Sequence, residues 1–110
     1  MSHYYEADDL NRFGEIGKYK KELADKFFDY YGQVMAKGLL TKREKNLIAL
    51  AVSHAIQCPY CIDSYAQACL EAGSSMDEMT EAIHITAALK AGAALIHGIQ
   101  AHNSVNKVMM

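Results

Sequence analysis

Only one proline occurs in the 110 residues, and it stands between two cysteines, in Cys58-Pro59-Tyr60-Cys61. Proline has a fixed φ and no N–H to donate, so it suits the first turn of a helix and disrupts an interior. Pro59 therefore predicts a helix start, with Cys58 near the N-cap and Cys61 near the third helical residue. No stretch on either side alternates apolar and polar residues as a half-buried strand would. The expected fold is all-α, with about six helices. That expectation counts against a thioredoxin-type reading of the cysteine pair, because that architecture needs βαβ units.

The rest of the chain reads as helices divided by recognisable stops and starts. Met1 to Tyr19 holds Gly14 and Gly17 among scattered aromatics and allows at most a short helix near Asp9 to Phe13, so residues 1–20 are expected to form an arm or lid. From Glu22, the residues Leu23, Phe27, Phe28, Tyr31, Val34 and Met35 recur at three- and four-residue steps, which predicts an amphipathic helix ending near Gly38. Its aromatic stripe suits a core or an interface better than a ligand box. Thr41 and Glu44 have the spacing of a capping box, opening a helix from Lys42 to about Gln57. Leu47-Ile48-Ala49-Leu50-Ala51-Val52 is apolar nearly all round, so that helix should be central and buried. The helix from Pro59 should end at Gly73, a plausible left-handed C′ residue. Ser75 and Glu78 form a second capping box, opening a helix with Met79, Ala82, Ile83, Thr86 and Leu89 inward. Small residues at Ala91-Gly92-Ala93-Ala94 predict a kink or a new helix there, and Asn103 to Met110 should fray.

Length and charge narrow the function classes. A chain of 110 residues is expected to be one domain over 1–110, with its core over about 40–101. Its content of 51% hydrophobic residues is high for that length, so part of the apolar surface should face other subunits. The formal charge of −2 and the scattered basic residues leave no footprint for nucleic acid or an anionic membrane, and both are excluded as partners. Met1 to Leu10 is polar and acidic, unlike a signal peptide, and no apolar run is expected to reach the length of a membrane span. With three cysteines and no export signal, the expected compartment is the reducing cytoplasm.

Chemistry concentrates in the segment from His54 to Tyr65. Two thiols separated by two residues at a helix start can close a disulfide, and a thiolate there lies beside unpaired N–H groups at the positive end of the helix dipole. That argument by itself favours Cys58 as the more stabilised thiolate. His54, four residues before Cys58, is placed to take or give a proton. Cys69 reads as a small buried hydrophobe, and His84, His97 and His102 are assigned no role.

The run Leu47 to Val52, the Cys58-Pro59-Tyr60-Cys61 motif, Ala68 to Gly73 and Ser75 to Ala82, in that order, resemble the carboxymuconolactone decarboxylase superfamily in its alkyl hydroperoxidase D-like branch. The resemblance spans about Leu40 to Ala101. Over the whole chain, including Tyr4-Tyr5, Asp9-Leu10, Phe13-Gly14, Ile16-Gly17, Tyr30-Tyr31-Gly32 and His97-Gly98, the sequence is similar to the arsenosugar-biosynthesis-associated peroxidase-like proteins. The decarboxylases that name the superfamily lack the cysteine pair, so decarboxylation is not implied. The branch implies an all-helical homo-oligomer, a trimer or hexamer, with no cofactor or metal and an external thiol reductant. It also implies that Cys61 attacks and Cys58 resolves. Its proton relay uses a Glu twelve residues before the first Cys and a His four residues after the second; here those positions hold Asn46 and Tyr65. His54 and Glu44 lie nearby and could substitute, although Glu44 has a sufficient role as a cap.

The function expected from residues and resemblance together is a dithiol oxidoreductase that reduces a peroxide or a disulfide. Cys61, Cys58 and His54 are its candidate catalytic residues, and Glu44, Asn46 and Tyr65 are possible relay or supporting positions. Two rivals remain at this stage: a metal-binding module using Cys58, Cys61 and His54, and a non-catalytic oligomeric scaffold.

Overall fold

The computed structural model describes residues 5–109, so Tyr4 of the arm and Met110 of the tail lie outside the described residues. A 3-10 helix at Leu10–Lys18 is followed by α1 (Lys21–Met35), α2 (Lys42–Ala55), α3 (Pro59–Glu71) and α4 (Met76–Met109). No strand occurs among the described residues, and the fold is all-helical. These residues divide into two compact units, with the break between Lys42 and Arg43.

In the N-terminal unit the 3-10 segment is longer than the short helix expected near Asp9 to Phe13. Phe13, at the end of the expected helix, joins a small aromatic cluster on α1. Its ring meets Phe28 edge-on with centroids 5.0 Å apart and Phe27 at 5.9 Å, and Phe27 in turn meets Tyr31 at 5.6 Å. A methyl group at Gly17 would come within 3.3 Å of the Ala24 Cβ, so a glycine here lets the 3-10 segment approach α1 closely. Phe27, Phe28 and Tyr31 of the stripe on α1 are thus joined within the unit, while Leu23 and Val34 remain exposed. Burial within it lifts the Tyr31 hydroxyl above the ordinary tyrosine range.

The second unit is a three-helix arrangement. Helix α2 ends at Ala55, α3 returns against it, and Leu50, Cys69 and Met79 from the three helices form the buried centre. Leu47, Tyr65, Ala66 and Ile83 pack around them. Three polar links join α2 to α4: Arg43 pairs with Glu78, the Thr86 hydroxyl donates to the Ala51 carbonyl at 2.8 Å, and the Lys90 ammonium reaches the Ala55 carbonyl at 3.5 Å. Each spans 35 residues, a constant offset that two helices keep only when they run parallel and in step.

Several expectations are corrected here. The described residues hold five helices instead of about six, because α4 runs without a break through Ala91-Gly92-Ala93-Ala94 and on through Asn103 to Met109. Three of those four small residues are alanines, the best helix formers, and one glycine costs only about 1 kcal/mol. A Cβ at Gly92 or Gly98 would meet nothing within 4 Å, so among the described residues no side chain or backbone packs on α4 at those two positions. Leu89, expected to point inward, is exposed, and Ile48 and Val52 on α2 are each half-exposed. The chain alone therefore buries one side of α2. The expectation that no apolar run reaches the length of a membrane span also fails. Helix α4 contains an 18-residue window of mean hydropathy 1.4, long and apolar enough by length and composition to cross a bilayer.

Candidate functional site

Helix α2 ends in a tight reversal that delivers the cysteine pair. The Gln57 N–H donates to the His54 carbonyl at 3.3 Å and the Cys58 N–H to the Ser53 carbonyl at 3.1 Å, the two bonds of a Schellman motif. The residue at its turning point must adopt a positive φ, and Gln57 does so at 56°, alone among the described non-glycine residues. One residue later the backbone of Cys58 is extended, and its Sγ accepts the Cys61 N–H at 3.2 Å. Cys58 is therefore the N-cap of α3, Pro59 occupies the first helical position and Cys61 the third, as the single proline predicts.

Cys58 and Cys61 are joined in a disulfide, with Cα atoms 5.2 Å apart, and both residues are partly buried. His54 lies in the last turn of α2, and its Nδ1 is 2.9 Å from the Leu50 carbonyl. A carbonyl can only accept, so Nδ1 carries the hydrogen and the lone pair of the neutral ring resides on Nε2. This bond holds the imidazole on its own helix and leaves Nε2 as the proton-accepting atom.

Of the other sequence candidates, Glu44 and Asn46 lie toward the start of α2, while Tyr65 follows Cys61 by one turn of α3. Asn46 sits in the first half of α2 and donates from Nδ2 to the Ala68 carbonyl of α3 at 3.5 Å, a link between helices. Tyr65 packs on the Leu50, Cys69 and Met79 centre. Glu44, in the first turn of α2, is exposed. Eight residues separate Asn46 from His54, about 12 Å along a helix. Cys69 is fully buried, and desolvation pushes its thiol pKa up, against a smaller opposing effect of Arg43. Such a thiol is a poor nucleophile at neutral pH. Among the described residues, no group of three or more His, Cys, Asp or Glu side chains comes together to hold a metal ion.

Sequence reading missed one contributor to the junction. Lys90 reaches the last carbonyl of α2 from α4, 35 residues away. Its position within an Ala-rich run offered no local signal, because the contact follows from the register of two parallel helices.

The model of the carboxymuconolactone decarboxylase family matches residues 21–103, which include α1 to α3 and most of α4. The chain belongs to the carboxymuconolactone decarboxylase family. It is 38% identical over 88 residues to a protein of Paracoccus denitrificans described as uncharacterized protein 4 in the cox locus, a match covering 80% of this chain and 79% of that one. A crystal structure of a protein from Methanobacterium thermoautotrophicum is similar with a TM-score of 0.73 and 34% identity, over 76% of this chain and 94% of that one. The family takes in decarboxylases and peroxidase-like enzymes.

Proposed function

We propose that the Cys58–Cys61 disulfide is redox-active and that the protein is a dithiol oxidoreductase of peroxidase-like type. The observation that carries this reading is the junction itself, where two cysteines at disulfide distance occupy the cap and third position of α3. In the reduced form the Cys61 thiolate attacks the outer peroxide oxygen, the O–O bond breaks, and an alcohol or water leaves with the proton that His54 handles through Nε2. Cys61 is then a sulfenic acid. The Cys58 thiolate attacks its sulfur, the S–O bond breaks with release of water, and the internal disulfide forms. An external dithiol attacks the Cys61 sulfur and is itself oxidised, restoring both thiols.

The cap bond fits this division of labour. An N–H donated to the Cys58 sulfur stabilises a thiolate there, and the sulfur that departs more easily as thiolate is the better leaving group when Cys61 is attacked. Helix-cap chemistry at Cys58 and attack by Cys61 are therefore compatible.

The test is turnover of hydrogen peroxide and an organic hydroperoxide with dithiothreitol as reductant, for the wild type and the Cys61→Ser and Cys58→Ser variants. Wild-type turnover, loss in Cys61→Ser, and a single stalled oxidation in Cys58→Ser are expected. Equal turnover in all three would sink the reading. A chain that reduces a model disulfide but no peroxide would narrow it to disulfide exchange.

The same chain is proposed to work as a homo-oligomer, a trimer or hexamer. Ile85, Leu89, Ile96 and Ile99 on α4 are each more than half exposed and recur at four-, seven- and three-residue steps. They make a stripe suited to another helix. A bilayer suits this helix less well, since Lys90 falls within its apolar stretch and a lysine at mid-membrane costs roughly 2.5–3.5 kcal/mol on insertion scales. Light scattering distinguishes these: a stable monomer without detergent overturns the oligomer, and recovery only with membranes or detergent favours the bilayer.

A further inference from the structure

The redox pair lies between two helix ends of opposite polarity. The start of α3 presents N–H groups, and one of them, from Cys61, reaches the Cys58 sulfur. The end of α2 presents carbonyls, whose negative pole disfavours a thiolate close by. Backbone donors already occupy three of these: the Val52, Ser53 and His54 carbonyls accept from Ile56, Cys58 and Gln57. The Ala55 carbonyl, three residues before Cys58, instead faces the Lys90 ammonium at 3.5 Å. Thr86, one turn earlier on α4, holds the register with its 2.8 Å bond to Ala51.

We propose that Lys90 is a positioning residue for the Cys58–Cys61 pair, offsetting the negative end of α2 so that the Cys58 thiolate is favoured and the disulfide is more readily reduced. This rests on the redox reading of the pair. The titratable or charged side chains at this junction are His54 in the last turn of α2, Tyr60 and Asp63 in the first turns of α3 beside the cysteine pair, and Lys90, which reaches α2 from α4. Lys90 is the permanent cation among them. A hydrocarbon in its place would leave the end of α2 uncompensated and shift the equilibrium toward the disulfide.

The chemistry that reads this out is exchange with dithiothreitol. Its two thiols give up two electrons and two protons and close a cyclic disulfide, while the Cys58–Cys61 S–S bond breaks and takes them up. Above the thiol pKa the Cys58 proton passes to solvent, and the charge left on sulfur is what Lys90 would stabilise. The measurement is the equilibrium constant of this exchange at about pH 8.5, near the ordinary thiol pKa, by thiol trapping and mass spectrometry. It compares the wild type, Lys90→Met, Lys90→Gln, Lys90→Arg and, as a remote charge control on the same helix, Lys107→Met.

A charge at a helix end has an effect equivalent to about a two- to fivefold change in an equilibrium constant. Lys90→Met and Lys90→Gln are therefore expected to reduce the extent of reduction by about that factor. Lys90→Arg should retain the wild-type value and Lys107→Met should match it. The difference between Lys90→Met and wild type should shrink in strong salt. Two neutral variants at position 90 guard against a folding defect peculiar to one side chain. Wild-type constants in both, or an equal shift in Lys107→Met, overturn the role of Lys90 while leaving the redox reading intact. A wild-type disulfide that dithiothreitol does not open overturns the redox reading itself.

Discussion

The two turns that join α2 to α3 and α3 to α4 use the same hydrogen bonds with different residues. After α3, Gly73 turns at φ 93°, its N–H donating to the Leu70 carbonyl and the Ser74 N–H to the Cys69 carbonyl. Ser75 then caps α4, its hydroxyl accepting the Glu78 N–H at 3.1 Å while the Glu78 carboxylate accepts the Ser75 N–H at 2.9 Å. After α2 the same bonds occur, but a glutamine holds the positive φ and a cysteine holds the cap. The third helical residue is again the reciprocating one, Cys61 where α4 has Glu78, and it returns a covalent bond to the cap sulfur. One turn is built from residues that suit the geometry at low cost. The other accepts a strained glutamine and a sulfur cap, and residues that depart from the best local choice cluster where chemistry occurs.

The sharpest test of the contrast is His54, which is either a working base or only a cap on α2. His54→Asn is expected to slow oxidation of the reduced pair by about 10²–10⁴-fold near neutral pH, the usual range for a lost general base. The pH–rate profile should also lose one limb; overlapping profiles would make His54 a structural residue. Next in size is the covalent bond across the first turn of α3. Reduction is expected to lower the unfolding free energy by about 2 kcal/mol for so short a loop, read from urea denaturation with and without reductant. No difference would mean that the bond constrains nothing that the cap does not already hold.

Gly73→Ala follows, with an expected loss of about 1–2 kcal/mol from the left-handed backbone alone. A Cβ there would meet nothing within 4 Å, so no clash adds to it. The smallest effect has the opposite sign. Gln57→Gly should stabilise the oxidised protein by about 0.5–1 kcal/mol, because relief of the left-handed backbone exceeds the extra freedom gained by the unfolded chain. If Gln57→Gly destabilises instead, the glutamine side chain supports the junction and the two turns are less alike than their hydrogen bonds.

Much of this was legible because it is local. Pro59 places the start of α3, and Ser75 with Glu78 places the start of α4; each is decided by bonds spanning three residues or fewer. Gly73 as a left-handed stop is equally local. Misreadings arose where local signals compete weakly. At Ala91 to Ala94 a glycine suggested a break that its alanine neighbours override, and α4 continues. The resemblance drew attention to Asn46 and Tyr65 as altered relay positions, but not to what they do now. Asn46 binds the Ala68 carbonyl and Tyr65 packs on the core.

The cysteine pair, its cap geometry and the all-helical fold were determined by the sequence itself, because turn chemistry and helical periodicity act within a few residues of chain. Only the tertiary structure decided which faces those helices cover. Leu50, Cys69 and Met79 meet because α3 folds back on α2 and α4 runs parallel to α2, and no periodicity within one helix encodes the register of another. The same 35-residue offset brings Thr86 and Lys90 to the last two turns of α2. A contact between residues that far apart in sequence depends on the relative placement of whole helices, which is settled by the summed packing of their side chains and carries no local signature.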